Sequence, residues 1–179
     1  MQALHARFGD VRLRKRVPFA VLSRSIIAQQ ISTKAANTIR ARIEQQLGSD
    51  PSRVAASSLR TLRRFGLTRA KAICLRQVAQ LAVEGELAAL QAMPDQEITA
   101  RLTRIRGIGP WTADMFLIFC LARQDVWPIS DAGLRLAARK LYGVQTSSSL
   151  QDLGGRLRPF RSIAAIYLWK SLGNVGTDV

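Results

Sequence analysis

Apolar residues recur at helical spacing along nearly the whole chain, and no segment alternates apolar and polar residues as a half-buried strand does. One apolar stripe begins after Ser32, a residue type that caps helices, and ends before Gly48. Its members are Ala35, Ala36, Ile39, Ile43 and Leu47. A second stripe follows Thr68 and has the same spacing, with members Ala72, Leu75, Val78, Ala79 and Ala82. The pattern therefore predicts an all-α protein.

The helix signals place about ten helices along the chain, joined by short connections. Short helices are expected to open at Pro51 and Ser58. Longer ones are predicted over 18–29, 32–47, 68–83, 94–105, 111–121, 131–141 and 162–172. The N-terminus and residues 143–155 lack the pattern and are the best loop candidates, although 150–157 is compatible with a helical turn.

Two glycines interrupt the helical pattern at Gly107 and Gly109, directly before Pro110. Glycine permits positive φ and lets another backbone approach closely, while proline suits the first turn of a helix. The segment therefore predicts a helix, a tight glycine turn and a second helix. The free N–H groups at the start of that second helix favour anions, phosphates above all.

The net charge of the chain indicates which class of partner it binds. The chain of 179 residues has 27 Lys and Arg against 12 Asp and Glu, a net charge of +15. This surplus favours nucleic acid as the partner over an anionic membrane surface. The alternative is that the charge only reflects a proteome whose proteins are generally basic. No uncharged run of about 18 apolar residues and no signal-peptide core occur, so we expect a cytoplasmic protein at the nucleoid, or a nuclear one in a eukaryote.

Four segments together carry a resemblance to a known family. They are Ser25–Ser32, Ile105–Ala113, Asp125–Asp131 and Pro159–Trp169. In this order and spacing they resemble the helix-hairpin-helix (HhH-GPD) superfamily of DNA glycosylases, in particular the 3-methyladenine DNA glycosylase II branch that acts on alkylated bases. A lone glycine hairpin would be weak evidence, but a hairpin followed about 20 residues later by a conforming aspartate is specific.

The resemblance implies a compact fold of two helical lobes with the active-site cleft between them. One lobe would span about 22–125 with the hairpin at 103–113, and the other about 1–21 plus 126–179. It implies a hydrolase of base excision repair that excises alkylated purines such as 3-methyladenine from double-stranded DNA as a monomer. The longer bacterial enzymes of the family have an extra N-terminal domain, so the chain is either a minimal form or lacks part of the protein.

The family's catalytic aspartate corresponds to Asp131. A carboxylate there would stabilise the positive charge that develops on the sugar as the glycosidic bond lengthens. The alternative is that Asp131 only caps its helix. Asp125, interpreted as a loop residue, and Asp114, interpreted as helical surface or a polar contact, are the competing carboxylates.

Trp111 stands where bifunctional relatives have a Schiff-base lysine, so the resemblance implies a monofunctional enzyme without lyase activity. Trp111 and Trp169 are expected to line the base pocket, with Trp127 and Tyr167 as weaker candidates and core packing as the alternative for each. Gln30 corresponds to the wedge residue that fills the gap left by a flipped base, and the alternative is a solvated helix end.

The hairpin is expected to bind the DNA backbone through Gly107, Ile108 and Gly109, with Arg106, Lys34 and Arg161 as phosphate partners. The family also holds one Na⁺ or K⁺ ion on hairpin carbonyls, which correspond to Thr103, Ile105 and Ile108. No cofactor is expected for catalysis. The two cysteines, Cys74 and Cys120, are too few for an iron–sulfur cluster and are predicted to be buried thiols.

Two further interpretations stay open. The same fold could serve as a catalytically impaired or truncated module that binds damaged DNA. A helical interaction protein with a coincidental hairpin would not explain Asp131, Trp111 and Trp169 at matching spacing.

Overall fold

The computed structural model describes residues 1–173. This part of the chain folds into twelve α-helices and one 3-10 helix, and it contains no strand. The α-helices are α1 (Gln2–Phe8), α2 (Pro18–Ala28), α3 (Thr33–Leu47), α4 (Pro51–Ala56), α5 (Leu59–Arg64), α6 (Arg69–Val83), α7 (Glu86–Ala89), α8 (Asp95–Thr103), α9 (Pro110–Phe119), α10 (Ala132–Tyr142), α11 (Ser147–Arg156) and α12 (Arg161–Ser171). The 3-10 helix follows α7 at Leu90–Ala92. The predicted all-α class is confirmed.

Side-chain caps explain where several helices begin. Ser32, Ser58 and Thr68 each accept a hydrogen bond from the backbone N–H three residues later, as the sequence predicted for such residues. Pro18 and Pro51 occupy first helical positions, where the missing N–H costs nothing. Local sequence therefore accounts for where these helices start.

Two segments predicted as loops are helical. Helix α11 covers most of 143–155 and ends at Arg156. Thr146 and Ser149 form a reciprocal capping box at its start, and Leu150 and Leu153 are buried. Helix α1 lies at the N-terminus and buries only Leu4. For α11 the sequence allowed only a helical turn at 150–157, because three serines begin the helix and two glycines lie near its end. Helix α1 was not predicted, because seven residues are too few to show a full apolar stripe.

The chain divides into two compact units. One comprises Arg16–Phe116, and the other comprises Met1–Lys15 together with the chain from Leu117 onward. The lobe boundaries and the two-lobed arrangement drawn from the sequence stay a prediction.

Helix α6 forms the centre of the first unit. It packs against α2, α4, α5 and α7. Its side chains Ala72, Leu75, Val78 and Ala79 have no exposed surface. Burial of this stripe contributes to the hydrophobic driving force for folding this unit.

Helix α12 has the same role in the second unit, where it packs against α10 and α1. Seven of its eleven residues are buried. Within residues 1–173, no helix is long and apolar enough to cross a bilayer.

Candidate functional site

The glycine hairpin, residues 103–113, joins α8 to α9. The Ile108 N–H donates to the Ile105 carbonyl at 2.9 Å and closes the turn. Gly107 has φ +99°, and a Cβ built on it would lie 3.1 Å from Cys74 Cβ in α6. Gly107 is therefore required both by its conformation and by the close approach of the hairpin to α6.

Gly109 differs from Gly107, because its φ lies outside the left-handed region and nothing lies within 4 Å of a Cβ built on it. Both glycines permit a positive φ, and of the two Gly107 alone adopts one. Open space beside this backbone leaves room for a ligand to approach it.

The turn between α2 and α3, Gln29 to Ile31, is anchored on the hairpin. Gln29 Nε2 donates to the Gly107 carbonyl and to Thr112 Oγ1, each at 3.0 Å. Gln30, the residue predicted to act as wedge, is exposed and has φ 55°. A non-glycine residue in this region is strained, and such strain is retained where neighbouring contacts over-determine the backbone. The turn thus holds Gln30 outward.

Lys71 fixes the same turn from α6. Its Nζ donates to the Ile27 carbonyl at 2.8 Å and to the Gln29 carbonyl at 2.6 Å. These carbonyls lie at the end of α2, where a helix leaves acceptors without intrahelical donors. Burial lowers the pKa of Lys71. No local signal in the sequence marks Lys71 as a functional residue, since its partners lie more than 40 residues away.

Asp131 lies at the start of α10 and caps it. Its Oδ1 accepts the Leu134 N–H at 2.5 Å and the Trp169 Nε1–H at 2.7 Å. The capping alternative is therefore realised, but the second donor is not needed for capping. Two donors on one oxygen fix the plane of the carboxylate, which also suits a group that must be preorganised.

Trp169 is held as firmly as the carboxylate. Its ring stacks on Phe119, with centroids 5.9 Å apart. A Cβ on Gly133 would lie 3.3 Å from Trp169 Cδ1 and 3.2 Å from Asp131 Oδ1, so only a small residue fits there comfortably. Trp169 is 6% exposed. Its contacts assign it to positioning Asp131, and its place in a base pocket stays a prediction.

The other predicted pocket residues also have packing partners. Trp127 Nε1 donates to the Leu150 carbonyl at 3.1 Å, and a Cβ on Gly154 would overlap the Trp127 ring. The Tyr167 hydroxyl donates to the Gly9 carbonyl at 2.7 Å. Trp111 is half-buried in the first turn of α9. The pocket roles of Trp111, Trp127 and Tyr167 stay predictions.

The three basic residues chosen as phosphate partners differ in their surroundings. Lys34 and Arg106 are exposed. Arg161 instead forms a two-pronged ion pair with Asp125, with Nε–Oδ1 at 2.7 Å and Nη2–Oδ2 at 3.1 Å. The pair holds the pKa of Asp125 below its ordinary value, chiefly through the hydrogen bonds from Arg161. This pairing competes with a phosphate for Arg161.

Asp114 lies in α9, in the apolar run that follows the hairpin, and it is half-buried rather than on the helical surface. Burial raises the pKa of Asp114 to about 6. An acidic residue inside an otherwise apolar helix is the signal that marks it in the sequence.

An all-helical chain with an anchored glycine hairpin, an exposed strained turn and a fixed N-cap aspartate defines a helix-hairpin-helix protein. A family model described as HhH-GPD superfamily base excision DNA repair protein matches residues 23–157. The chain belongs to this superfamily.

Named relatives and solved structures agree with the family. The chain is 31% identical over 169 residues to DNA-3-methyladenine glycosylase 1 of Schizosaccharomyces pombe, covering 89% of this chain and 74% of that protein. The structure of a 3-methyladenine DNA glycosylase from the same yeast in complex with abasic DNA matches with TM-score 0.84 and 29% identity, covering 98% of this chain and 93% of the other. A DNA-3-methyladenine glycosidase from Bacillus halodurans matches with TM-score 0.76 and 34% identity, covering 96% and 83%.

Proposed function

We propose that this protein is a monofunctional DNA glycosylase that removes alkylated purines such as 3-methyladenine from duplex DNA and leaves an abasic site. The observation that carries the proposal is the Asp131 carboxylate, fixed through Oδ1 by Leu134 and Trp169 in a chain of this superfamily. Relatives named as 3-methyladenine glycosylases support the substrate class.

In this proposal Asp131 acts electrostatically. The C1′–N bond breaks with its electron pair going to the base, and positive charge develops on the sugar. A carboxylate held in place stabilises that charge without reorganising. Water then adds its oxygen to C1′ and loses a proton, for which Asp131 is the acceptor. An alkylated purine that is already cationic leaves readily, so no strong general acid is required.

The DNA is held by the other unit of the chain. In this proposal the Gly109 N–H faces a phosphate, since the open space beside Gly109 lets the backbone approach closely, whereas the predicted Ile108 N–H is already donated to the Ile105 carbonyl. Gln30 enters the stack where the damaged base has left it. The anchoring of its turn by Gln29 and Lys71 supports this role, because a wedge must not yield when it is pressed into DNA.

Trp111 occupies the position of the Schiff-base lysine of bifunctional relatives. An indole cannot form an imine with C1′, so no covalent intermediate forms there and the DNA strand stays intact. We place the enzyme on chromosomal DNA as a monomer, in the cytoplasm at the nucleoid or in the nucleus of a eukaryote.

A monovalent cation on the carbonyls of Thr103, Ile105 and Ile108 is part of the proposal. The donor set is three neutral backbone oxygens, which suits Na⁺ or K⁺. The Thr103 hydroxyl donates to the Thr99 carbonyl at 2.8 Å and so points back along α8, which leaves ligation at this residue to its carbonyl. Within residues 1–173 no cluster of three His, Cys, Asp or Glu side chains could hold a metal ion. Such an ion would neutralise charge where a phosphate docks.

The proposal is tested by what the protein releases from methylated duplex DNA. We expect mass spectrometry to find free methylated purines, with strand breaks only after alkali and no adduct trapped by borohydride. A trapped covalent complex would contradict the monofunctional assignment. Tight binding to abasic DNA with no released base would favour the catalytically impaired module instead.

A further inference from the structure

Residues 51–83 contain seven basic residues and no acidic one. Four of the arginines converge at the junction of α5 and α6 and, with Leu59, line an open cleft of about 570 Å³. We call these four residues the arginine cluster: Arg60, Arg63, Arg64 and Arg69. All four are exposed.

The cluster is not used to hold the fold together. Among the residues that the structure describes, none makes a hydrogen bond or ion pair with any of its four guanidinium groups. Other arginines of the chain are partnered, as Arg101 is with Glu97 and Arg161 with Asp125. Like charges gathered without a counter-charge repel one another, and an anion removes that cost.

Helix dipoles explain only half of the cluster. Arg63 and Arg64 lie in the last turn of α5, where cations are favoured. Arg69 is the first residue of α6, where a cation opposes the dipole. An arginine at this position weakens its own helix, so its placement points to a ligand rather than to stability.

Helix α6 connects the cluster to the residues proposed to hold DNA. Arg69 begins the helix, Lys71 binds the turn that holds Gln30, and Cys74 packs against Gly107 of the hairpin. At about 1.5 Å per residue, Arg69 and Cys74 are only about 7–8 Å apart along the helix axis. Because Arg69 lies about 140° around the helix from Cys74, it faces a different side of α6 from the hairpin contact, where it can meet only DNA backbone beyond the stretch that the hairpin binds.

We infer that the arginine cluster is a second phosphate-binding surface, which holds a stretch of duplex DNA backbone beyond the one that the hairpin binds. The inference rests on the proposed function for its ligand. The guanidinium fork fits phosphate oxygens in pairs. No aromatic residue lines the cleft to stack on a base, so the contact reads charge and not sequence. It enlarges the footprint on undamaged and damaged DNA alike.

The test combines removal of charge with a salt titration. The variant R60Q/R63Q/R64Q keeps residues that favour helices in α5 while deleting three charges. Binding to undamaged duplex and to a duplex with an abasic analogue is measured by fluorescence anisotropy from low to physiological salt. We expect both affinities to fall by on the order of tenfold to a hundredfold. The salt slope should become shallower by about one for each phosphate that the variant no longer neutralises.

A charge-matched control removes three exposed arginines from three other helices, R7Q/R139Q/R156Q. If it weakens binding as much as the cluster variant, the effect is the general field of the protein and the inference is overturned. Unchanged DNA binding by the cluster variant also overturns the inference. The ligand of the cleft would then be another anion, such as an acidic peptide. Both readouts use binding to undamaged DNA, so they decide the inference even if the wild-type protein releases no base and the proposed function fails.

Arg69→Gln tests the same surface without risk to folding. It removes a cation from a helix N-terminus, so its Tm should rise while its DNA affinity falls and its salt slope becomes shallower by about one. A variant with raised Tm and wild-type affinity would exclude Arg69 from the surface.

Discussion

Trp169→Phe is the sharpest probe of how Asp131 is positioned. The change deletes the Nε1–H that donates to Asp131 Oδ1 at 2.7 Å, and it leaves an aromatic ring to stack on Phe119. Asp131 keeps its hydrogen bond from the Leu134 N–H, so α10 remains capped. The carboxylate then loses one of the hydrogen bonds that fix Oδ1, so its orientation is less constrained.

The magnitude follows from the hydrogen bond that the change removes. A hydrogen bond to a charged group contributes about 1.5–3 kcal/mol, and the smaller ring packs less well, so the free energy of unfolding should fall by about 2–4 kcal/mol. Misplacing a catalytic group by about 1 Å costs as much as a hundredfold in rate. We therefore expect base release at saturating enzyme to slow by about tenfold to a hundredfold, with DNA affinity nearly unchanged.

The assay is single-turnover base release from methylated duplex, alongside urea denaturation. Ser162→Ala is the control: it removes a buried hydroxyl of α12 that accepts the Val126 N–H at 2.9 Å and does not contact Asp131. It should lower stability by about 1–3 kcal/mol without slowing base release. Equal slowing in both variants, or a normal rate in Trp169→Phe, would refute the positioning role.

Four further substitutions test other parts of the account. Gly109→Arg should fold normally, because its side chain fills open space, but should bind damaged and undamaged duplex more weakly in fluorescence anisotropy. Gly107→Ala should instead lower Tm, because φ is +99° and Cys74 Cβ lies 3.1 Å from the added Cβ. Gln30→Ala should weaken binding to an abasic analogue more than to undamaged duplex without changing the salt slope, and equal losses would assign Gln30 a backbone or structural role. The pKa of Asp114 is raised to about 6, so wild-type stability should fall as pH rises from about 4 to 6 and then level off. Urea denaturation should show Asp114→Asn without this decline, gaining up to about 3 kcal/mol at pH 7 over wild type, and the same pH profile in both proteins would contradict the assignment.

Local signals made most of the fold predictable. Ser32, Ser58 and Thr68 act as caps at the helix starts that the sequence indicated. The prediction was incomplete for α11, in which serines and glycines make up five of the ten residues. Helix α11 is specified by the capping box of Thr146 and Ser149 and by burial of a few leucines, which depends on tertiary packing.

Residues of the candidate site could be predicted from the sequence, but the contacts that hold them in place could not. Asp131 could be chosen from its place after the hairpin, but its bond from Trp169 spans 38 positions and has no local signature. The same holds for Lys71, which reaches back 42 positions to the Gln29 carbonyl. Pairing of Arg161 with Asp125 over 36 positions is likewise a property of the folded chain. The role of each of these residues therefore depends on long-range hydrogen bonds, which the residue type alone does not predict.

The central claim is that Asp131 carries the chemistry, and base release by Asp131→Asn tests it most directly. Asparagine is also a good N-cap and keeps an oxygen that can accept from Leu134 and Trp169, so fold and affinity for abasic DNA should be retained. Loss of the charge should raise the barrier by several kcal/mol, which slows single-turnover release on the order of a thousandfold or more. A folded, DNA-binding Asp131→Asn protein that releases methylated purines at nearly the wild-type rate would contradict the account.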